Sequence, residues 1–72
     1  MAVILYTRDG CPFSDALRAS LTERGQRFTE VNLSRQPQSL PELVKLTRGR
    51  RVVPVLIEGA KLAVAPDGGT EF

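Results

Sequence analysis

The amino-terminal half of the chain passes from an apolar run to an amphipathic stripe, and this order restricts the fold more than any other feature. Val3–Tyr6 is a continuous apolar run, which predicts a strand buried on both faces, as in parallel sheets. Thr7–Gly10 is predicted to form a turn. Pro12 then suits the first position of a helix, where the N–H that proline lacks would have no intrahelical partner.

The helix predicted from Pro12 has one apolar face. Phe13, Leu17 and Leu21 recur every four residues and form a single stripe. Gly25 is a plausible stop, and the mixed alternation of Phe28–Leu33 predicts a second strand. A strand, a helix and a strand in this order make a βαβ unit, whose crossover should be right-handed.

The carboxy-terminal half adds a helix and a hairpin. Ser39 and Glu42 have capping-box spacing, and the second helix is predicted to run to about Arg48. Val52–Ile57 and Lys61–Ala65 are predicted to pair as antiparallel strands, and residues 66–72 are expected to be a loop. The predicted order is therefore β-α-β-α-β-β, an α/β fold with a mixed sheet.

Length and composition restrict the class of protein. With 72 residues and a net charge of +2, residues 1–72 are expected to form a single domain without nucleic-acid partners. One cysteine excludes an internal disulfide and argues against a disulfide-rich secreted scaffold. The chain shows no export signal and no apolar run of membrane-spanning length. These observations predict a cytoplasmic protein with no membrane partner.

Cys11 is the candidate nucleophile. It lies between the first strand and the first helix, where free N–H groups and the helix dipole favour a thiolate, and Arg8 could add positive charge. The alternative is a buried, inert cysteine. Ser14 occupies the place of the second cysteine of a C-x-x-C pair and cannot resolve a mixed disulfide. A reactive Cys11 would therefore need an external thiol.

Two further features could form part of a ligand site. A cis Val53–Pro54 bond would present the Val53 backbone to an extended ligand, although a trans proline that simply starts a strand is the commoner case. The cluster of Arg48, Arg50 and Arg51 could bind carboxylates, or it could be a solvated face at a helix end.

Together these residues resemble the glutaredoxin family. Tyr6–Ser14 match the pattern Y-T-x-x-G-C-P-[YF]-[CS], Val52–Pro54 match a later [TV]-V-P segment, and Gly68–Gly69 match a Gly-Gly pair. The resemblance implies a minimal thioredoxin-like (glutaredoxin) fold in which the usual C-terminal helix is absent. A missing helix would expose part of the sheet, so a monomer or a weak dimer is expected.

The resemblance also implies roles for individual residues. Cys11 would be the catalytic nucleophile, Arg8 and Arg51 would contact glutathione carboxylates, and Val53, before a cis proline, would pair with the glutathione cysteine. Either Asp67 or Glu71 would complete the γ-glutamyl subsite. The implied glutathione site consists of Arg8, Phe13, Arg51, Val53, Pro54, Gly69 and Thr70.

Three functions are compatible with the sequence. The resemblance implies a monothiol thiol–disulfide oxidoreductase that uses glutathione, or a similar small thiol, as co-substrate and acts on glutathionylated proteins. An alternative is a [2Fe-2S] carrier in which Cys11 and glutathione from two protomers hold the cluster; Pro12, where cluster-binding relatives have glycine, places it second. The third is an interaction module with an unreactive Cys11. No resident metal site is predicted.

Overall fold

The computed structural model describes residues 2–72. It has six strands, two α-helices and one short 3-10 helix in that part of the chain. The elements are β1 Val3–Thr7, α1 Pro12–Glu23, β2 Thr29–Asn32, the 3-10 helix Pro37–Ser39, α2 Leu40–Leu46, β3 Val52–Val53, β4 Val55–Glu58, β5 Lys61–Val64 and β6 Thr70–Glu71.

The central sheet has the strand order β2-β1-β4-β5. β1 pairs with β2 in parallel and with β4 in antiparallel orientation, and β5 returns antiparallel to β4 as the predicted hairpin. β1 is therefore an interior strand, and its side chains contribute to two core clusters, which explains why its sequence is an unbroken apolar run. The prediction of a mixed α/β sheet is confirmed.

The two faces of the sheet form separate parts of the core. On one face, Leu5 and Leu56 pack with Leu21 of α1. On the other, Tyr6 and Val55 belong to a buried cluster that includes Leu43 of α2, with Cys11, Leu33 and Val53 at its edge. Because β-strand side chains alternate between faces, one apolar run in β1 supplies both clusters.

The predicted loop at the C-terminus is wrong. Thr70–Glu71 form β6, which pairs antiparallel with β3 in a two-stranded sheet of its own, and the Phe72 N–H donates to the Arg51 carbonyl at 2.9 Å. The chain reverses at Gly68, whose φ is +110°, a conformation that favours glycine. The tail satisfies backbone groups of β3 that would otherwise be a free strand edge.

Several predicted boundaries also change. The single strand expected over Val52–Ile57 is divided at Pro54 into β3 and β4, since proline has no N–H for the ladder. α2 ends at Leu46, because Arg48 and Gly49 have φ values of 57° and 95°. The capping box at Ser39 does not form, as its side chain makes no cap hydrogen bond.

Among residues 2–72, two large apolar side chains are exposed to solvent. Phe13, expected on the buried stripe of α1, is 42% exposed, and Leu62 of β5 is 46% exposed. Leu62 faces the same side of the sheet as Ile57, its cross-strand partner, beyond the reach of the short α2. Within residues 2–72, neither helix is long and apolar enough to cross a membrane.

Candidate active site

Cys11 is the N-cap residue of α1, directly after the turn that leaves β1. Its sulfur accepts a hydrogen bond from the Ser14 N–H at 3.4 Å, and its carbonyl accepts from the Asp15 N–H at 3.1 Å. Gly10, with a φ of +76°, turns the chain so that the thiol points back over the first helical turn. The Cys11 residue is only 3% exposed.

The surroundings of the sulfur favour its ionised form. Burial raises the pKa of the Cys11 thiol, but hydrogen bonds from the Ser14 and Thr70 side chains and from the Ser14 and Phe13 N–H groups outweigh burial, so that the net pKa lies below its ordinary value. Donors aimed at a thiolate stabilise the charged form over the neutral one. A lowered pKa is the property expected of a reactive thiol, and an inert cysteine in apolar surroundings would have a raised one.

Ser14 stands where a second thiol would be needed for internal resolution. Its side chain is completely buried, and its Oγ has no hydrogen-bond partner in the structure. A buried hydroxyl without a partner costs free energy. An ionised sulfur nearby would accept its hydrogen, which accounts for the lowering effect of Ser14 on the Cys11 pKa.

The opposite wall of the site comes from β3 and β6. The Val53–Pro54 peptide bond is cis, as the resemblance implied. The Cys11 Sγ lies 3.9 Å from the Val53 carbonyl oxygen and 3.4 Å from the Thr70 Oγ1. The backbone of Val53 is opposite Thr70 in the β3–β6 register, so the edge expected to be open to ligand is covered by the chain itself.

Arg8 and Arg51 converge on one side of this wall. The two guanidinium groups lie 4.2 Å and 5.2 Å from the centre of the Phe72 ring, within cation–π range. Arg48, of the same predicted cluster, is exposed and is not part of this group. The fold thus brings together two arginines that are far apart in sequence, around an aromatic ring that sequence reasoning did not select.

A small groove of about 150 Å³ lies between α1 and the segment Pro66–Gly68. Phe13, Pro54, Pro66 and Gly68 are among its lining residues. The groove is narrow at Gly68, where an added Cβ would lie 2.8 Å from the Phe13 ring. Phe13 therefore lies at the border of this groove, with 42% of the residue exposed.

A cavity of about 500 Å³ is lined mostly by charged and polar residues and does not include Cys11. Its main groups already pair with each other: Arg18 binds both carboxylate oxygens of Glu30 at 2.7 Å, and Thr7 donates to the same carboxylate. Arg18 lowers the pKa of the Glu30 carboxyl. This network joins α1 to β1 and β2, and its role is structural.

Thr70 and Phe72 are the residues whose contacts differ most from expectation. The resemblance implied that Thr70 would contact the γ-glutamyl end of glutathione, whereas its Oγ1 lies 3.4 Å from the Cys11 Sγ. No role was predicted for Phe72 from the sequence. Neither contact has a local signal in the sequence, because both depend on β6 folding back over β3. Among residues 2–72, no group of three or more His, Cys, Asp or Glu side chains could hold a metal ion.

The fold and the ionisable thiol together place the protein in the class of thioredoxin-like thiol–disulfide oxidoreductases. A comparison with protein-family models matches the glutaredoxin family over residues 3–62. The chain belongs to the glutaredoxin family, and its activity is that of a glutaredoxin-like thiol–disulfide oxidoreductase.

One solved structure similar to this chain is the glutaredoxin-like protein NrdH-redoxin from Escherichia coli, described as having a thioredoxin-like activity profile. The two share 29% sequence identity and superpose with a TM-score of 0.74, over 96% of this chain and 83% of that one. A comparison with curated protein sequences gives no significant match.

Proposed function

We propose that the protein is a monothiol oxidoreductase that removes glutathione from mixed disulfides and uses a second glutathione to complete the cycle. The observation that carries the proposal is the state of its only cysteine. The Cys11 thiol has a lowered pKa, and Ser14 occupies the position that a resolving cysteine would take in a C-x-x-C pair.

In the first step the Cys11 thiolate attacks the glutathione sulfur of a glutathionylated substrate. A bond forms between the Cys11 sulfur and the glutathione sulfur, the substrate disulfide breaks, and the substrate leaves as a thiolate that takes a proton from water. The Ser14 N–H and the Thr70 hydroxyl support this step by holding the attacking sulfur ionised before reaction. The leaving thiol departs faster when its own pKa is low.

In the second step the thiolate of a free glutathione attacks the glutathione sulfur held on Cys11. Oxidised glutathione leaves, and the Cys11 thiolate is restored. Ser14 has no sulfur and cannot form a disulfide with Cys11, so no internal bond competes with this attack. The low pKa of Cys11 also makes it a good leaving group in the second step.

Arg8 and Arg51 are proposed to bind a carboxylate of glutathione. Both guanidinium groups face the same ring of Phe72, so an anion that takes the place of the ring could reach both. Val53 is proposed to pair with the cysteine moiety of glutathione, and Phe13 to border the groove beside Pro54. Gly69 and Thr70 are proposed to lie near its γ-glutamyl end, with Asp67 or Glu71 as the acidic residue.

The proposed thiol–disulfide cycle also suggests a cellular compartment and a class of substrates. A thiol that must return to its reduced form in every cycle suits a reducing environment, and we propose the cytoplasm. Glutathionylated proteins are the proposed substrates, and a monomer or a weak dimer is the proposed state in solution.

The test is a steady-state assay on a glutathionylated protein with glutathione varied. Turnover should rise with glutathione concentration, and Cys11→Ser should abolish it. Mass spectrometry of the enzyme during turnover should show one glutathionyl group on Cys11. Absence of that adduct, together with turnover independent of glutathione, would contradict the proposal.

The likeness to NrdH-redoxin suggests a second candidate, in which the reductant is a protein dithiol instead of glutathione. The thioredoxin-like profile described for that protein would require an incoming dithiol to release the substrate from Cys11 here, since the chain has no second thiol. Replacing glutathione by a protein reductase in the same assay separates the two reductants. Turnover with the reductase alone would favour this second candidate.

A further inference from the structure

β6 occupies the strand edge where an extended substrate would bind. The Phe72 N–H donates to the Arg51 carbonyl at 2.9 Å, and the register continues with Glu71 opposite Val52 and Thr70 opposite Val53. Hydrogen-bonded pairs alternate along an antiparallel ladder, so Thr70 and Val53 form the next hydrogen-bonded pair. The chain thus supplies its own strand to β3.

Thr70 lies where the reacting sulfur of a substrate would have to be. Its Oγ1 is 3.4 Å from the Cys11 Sγ, and the Val53 carbonyl oxygen lies 3.9 Å from the same sulfur. A disulfide sulfur must approach Cys11 closely before a bond of about 2.05 Å can form. Threonine carries its hydroxyl on Cβ, the same position at which cysteine carries sulfur.

Phe72 gives the second point of recognition. The register places it on the same side of β6 as Thr70, and its ring lies against both Arg8 and Arg51. It also packs on the buried cluster that contains Cys11 and Val53. The intervening Glu71 is exposed and reaches Arg50 only at 3.5 Å.

We propose that Thr70–Phe72 is an internal pseudosubstrate, which shows what the cleft prefers. The preferred substrate is an extended protein segment that runs antiparallel to β3. Its disulfide-bonded cysteine lies at the position of Thr70, and an aromatic residue two places later lies at the position of Phe72. The inference depends on Cys11 as nucleophile and concerns disulfides in which Cys11 attacks the protein sulfur, as in the second candidate function. Where Cys11 attacks a glutathione sulfur instead, glutathione occupies the same cleft.

Such a segment must first displace β6 and Phe72, and its own backbone and aromatic residue would restore the contacts that these residues give up. β6 has two residues, both exposed. Both side chains of the Arg50–Glu71 ion pair are exposed to solvent, and such a surface pair contributes little to stability. The reversal at Gly68 and Gly69 lets the tail leave without disturbing the central sheet, and Cys11 becomes accessible when it does.

The placement of Thr70 is tested by Thr70→Cys, with Glu71→Cys as the matched control. Oxidised glutathione is the oxidant, and each internal disulfide releases two reduced glutathione molecules. Thr70→Cys should form a bond between Cys11 and the introduced thiol, seen as the loss of both thiols in a monomer, at least tenfold faster than Glu71→Cys. Equal rates for the two variants would overturn the proposed placement.

The preference is tested with two peptides, Gly-Gly-Cys-Glu-Phe and Gly-Gly-Cys-Glu-Ala, each as a mixed disulfide with thionitrobenzoate. The Cys11 thiolate attacks the peptide sulfur, and the coloured thiolate leaves in a single turnover that contains no glutathione. The phenylalanine peptide should react at least threefold faster. Equal rates would overturn the preference, whereas a failure of glutathione to support turnover would leave this result unchanged.

Displacement of β6 is tested by Phe72→Ala, with Leu62→Ala as a control at an exposed apolar residue on the other sheet edge. Cys11 is alkylated with a neutral reagent at a pH at which its thiol is fully ionised, so changes in its pKa do not contribute. Phe72→Ala should react three- to tenfold faster than wild type, and Leu62→Ala should not differ. An unchanged or slower Phe72→Ala would overturn the proposed occupancy of the cleft.

Discussion

Replacing Thr70 by valine tests the hydrogen bond that the tail provides to the sulfur. The change removes the hydroxyl 3.4 Å from the Cys11 Sγ and keeps a side chain of similar shape, so the pKa of Cys11 should rise. A hydrogen bond to a charged group contributes about 1.5–3 kcal/mol. Thr70 is exposed and water can replace part of the bond, so we expect a loss of about 1.4 kcal/mol, or about a tenfold lower thiolate fraction below the pKa.

The assay is the rate of Cys11 alkylation by iodoacetamide as a function of pH. A more basic thiolate is also a better nucleophile, and with a Brønsted coefficient of about 0.4–0.5 this recovers about threefold of the loss. Thr70→Val should therefore react about threefold more slowly than wild type at acid pH and about threefold faster on the alkaline plateau. The two profiles should cross.

The crossing separates an electrostatic role of Thr70 from simple disruption of the site. A disturbed or more open site would shift the whole profile in one direction. Thr70→Ser keeps the donor and should follow the wild-type profile. A Thr70→Val profile that superimposes on wild type, or that is displaced without a crossing, would refute the hydrogen bond as a cause of the lowered Cys11 pKa.

Three further predictions concern the remaining parts of the fold and site. Leu21→Ala, at a completely buried position, should lower the free energy of unfolding by about 2–5 kcal/mol, measured by urea denaturation; a loss under 1 kcal/mol would contradict the packing described. Glu30 has a lowered pKa in the fold because Arg18 binds it, so its contribution, about 1 kcal/mol, is present above its unfolded pKa and is lost as pH falls through the folded pKa. Glu30→Gln should therefore show weaker acid destabilisation below about pH 4.5 than wild type in thermal unfolding, and identical pH dependence would count against the ion pair. Ser14→Cys should supply an internal resolving thiol, detected as a Cys11 disulfide in a monomer under mild oxidation, and its turnover should depend less on glutathione; unchanged dependence would show that this position cannot reach the sulfur of Cys11.

Much of the central fold could be predicted from local patterns. The apolar run of β1 and the stripe of α1 are short-range signals, and both elements form close to where they are expected. The position of Cys11 at the helix N-terminus follows from Gly10 and Pro12, two residues whose backbone preferences are strong. For the same reason, a lowered pKa for a thiol at the helix N-terminus could be predicted from the sequence alone.

The sequence-based predictions fail where the end of an element, or the burial of a side chain, depends on residues far away in the sequence. α2 ends early because the backbone at Arg48 takes a positive φ to bring β3 back to the sheet, and no periodic signal marks that reversal. Phe13 obeys the stripe but lies beyond the end of the sheet, beside Gly68, and so remains exposed. Periodicity gives the direction of a side chain and does not show whether another element is present to cover it.

The sequence by itself limited the disulfide chemistry that this chain can perform. A single cysteine before Pro12, with Ser14 in place of a second thiol, requires an external partner for any disulfide chemistry, whatever the fold around it. Only the tertiary structure decided what the thiol faces. Thr70 and Phe72 reach Cys11, Arg8 and Arg51 because β6 pairs with β3, and the contact of Thr70 with Cys11 joins residues 59 positions apart. Strand pairing satisfies generic backbone groups, which every residue except proline carries, and therefore it leaves little trace in the sequence of either strand.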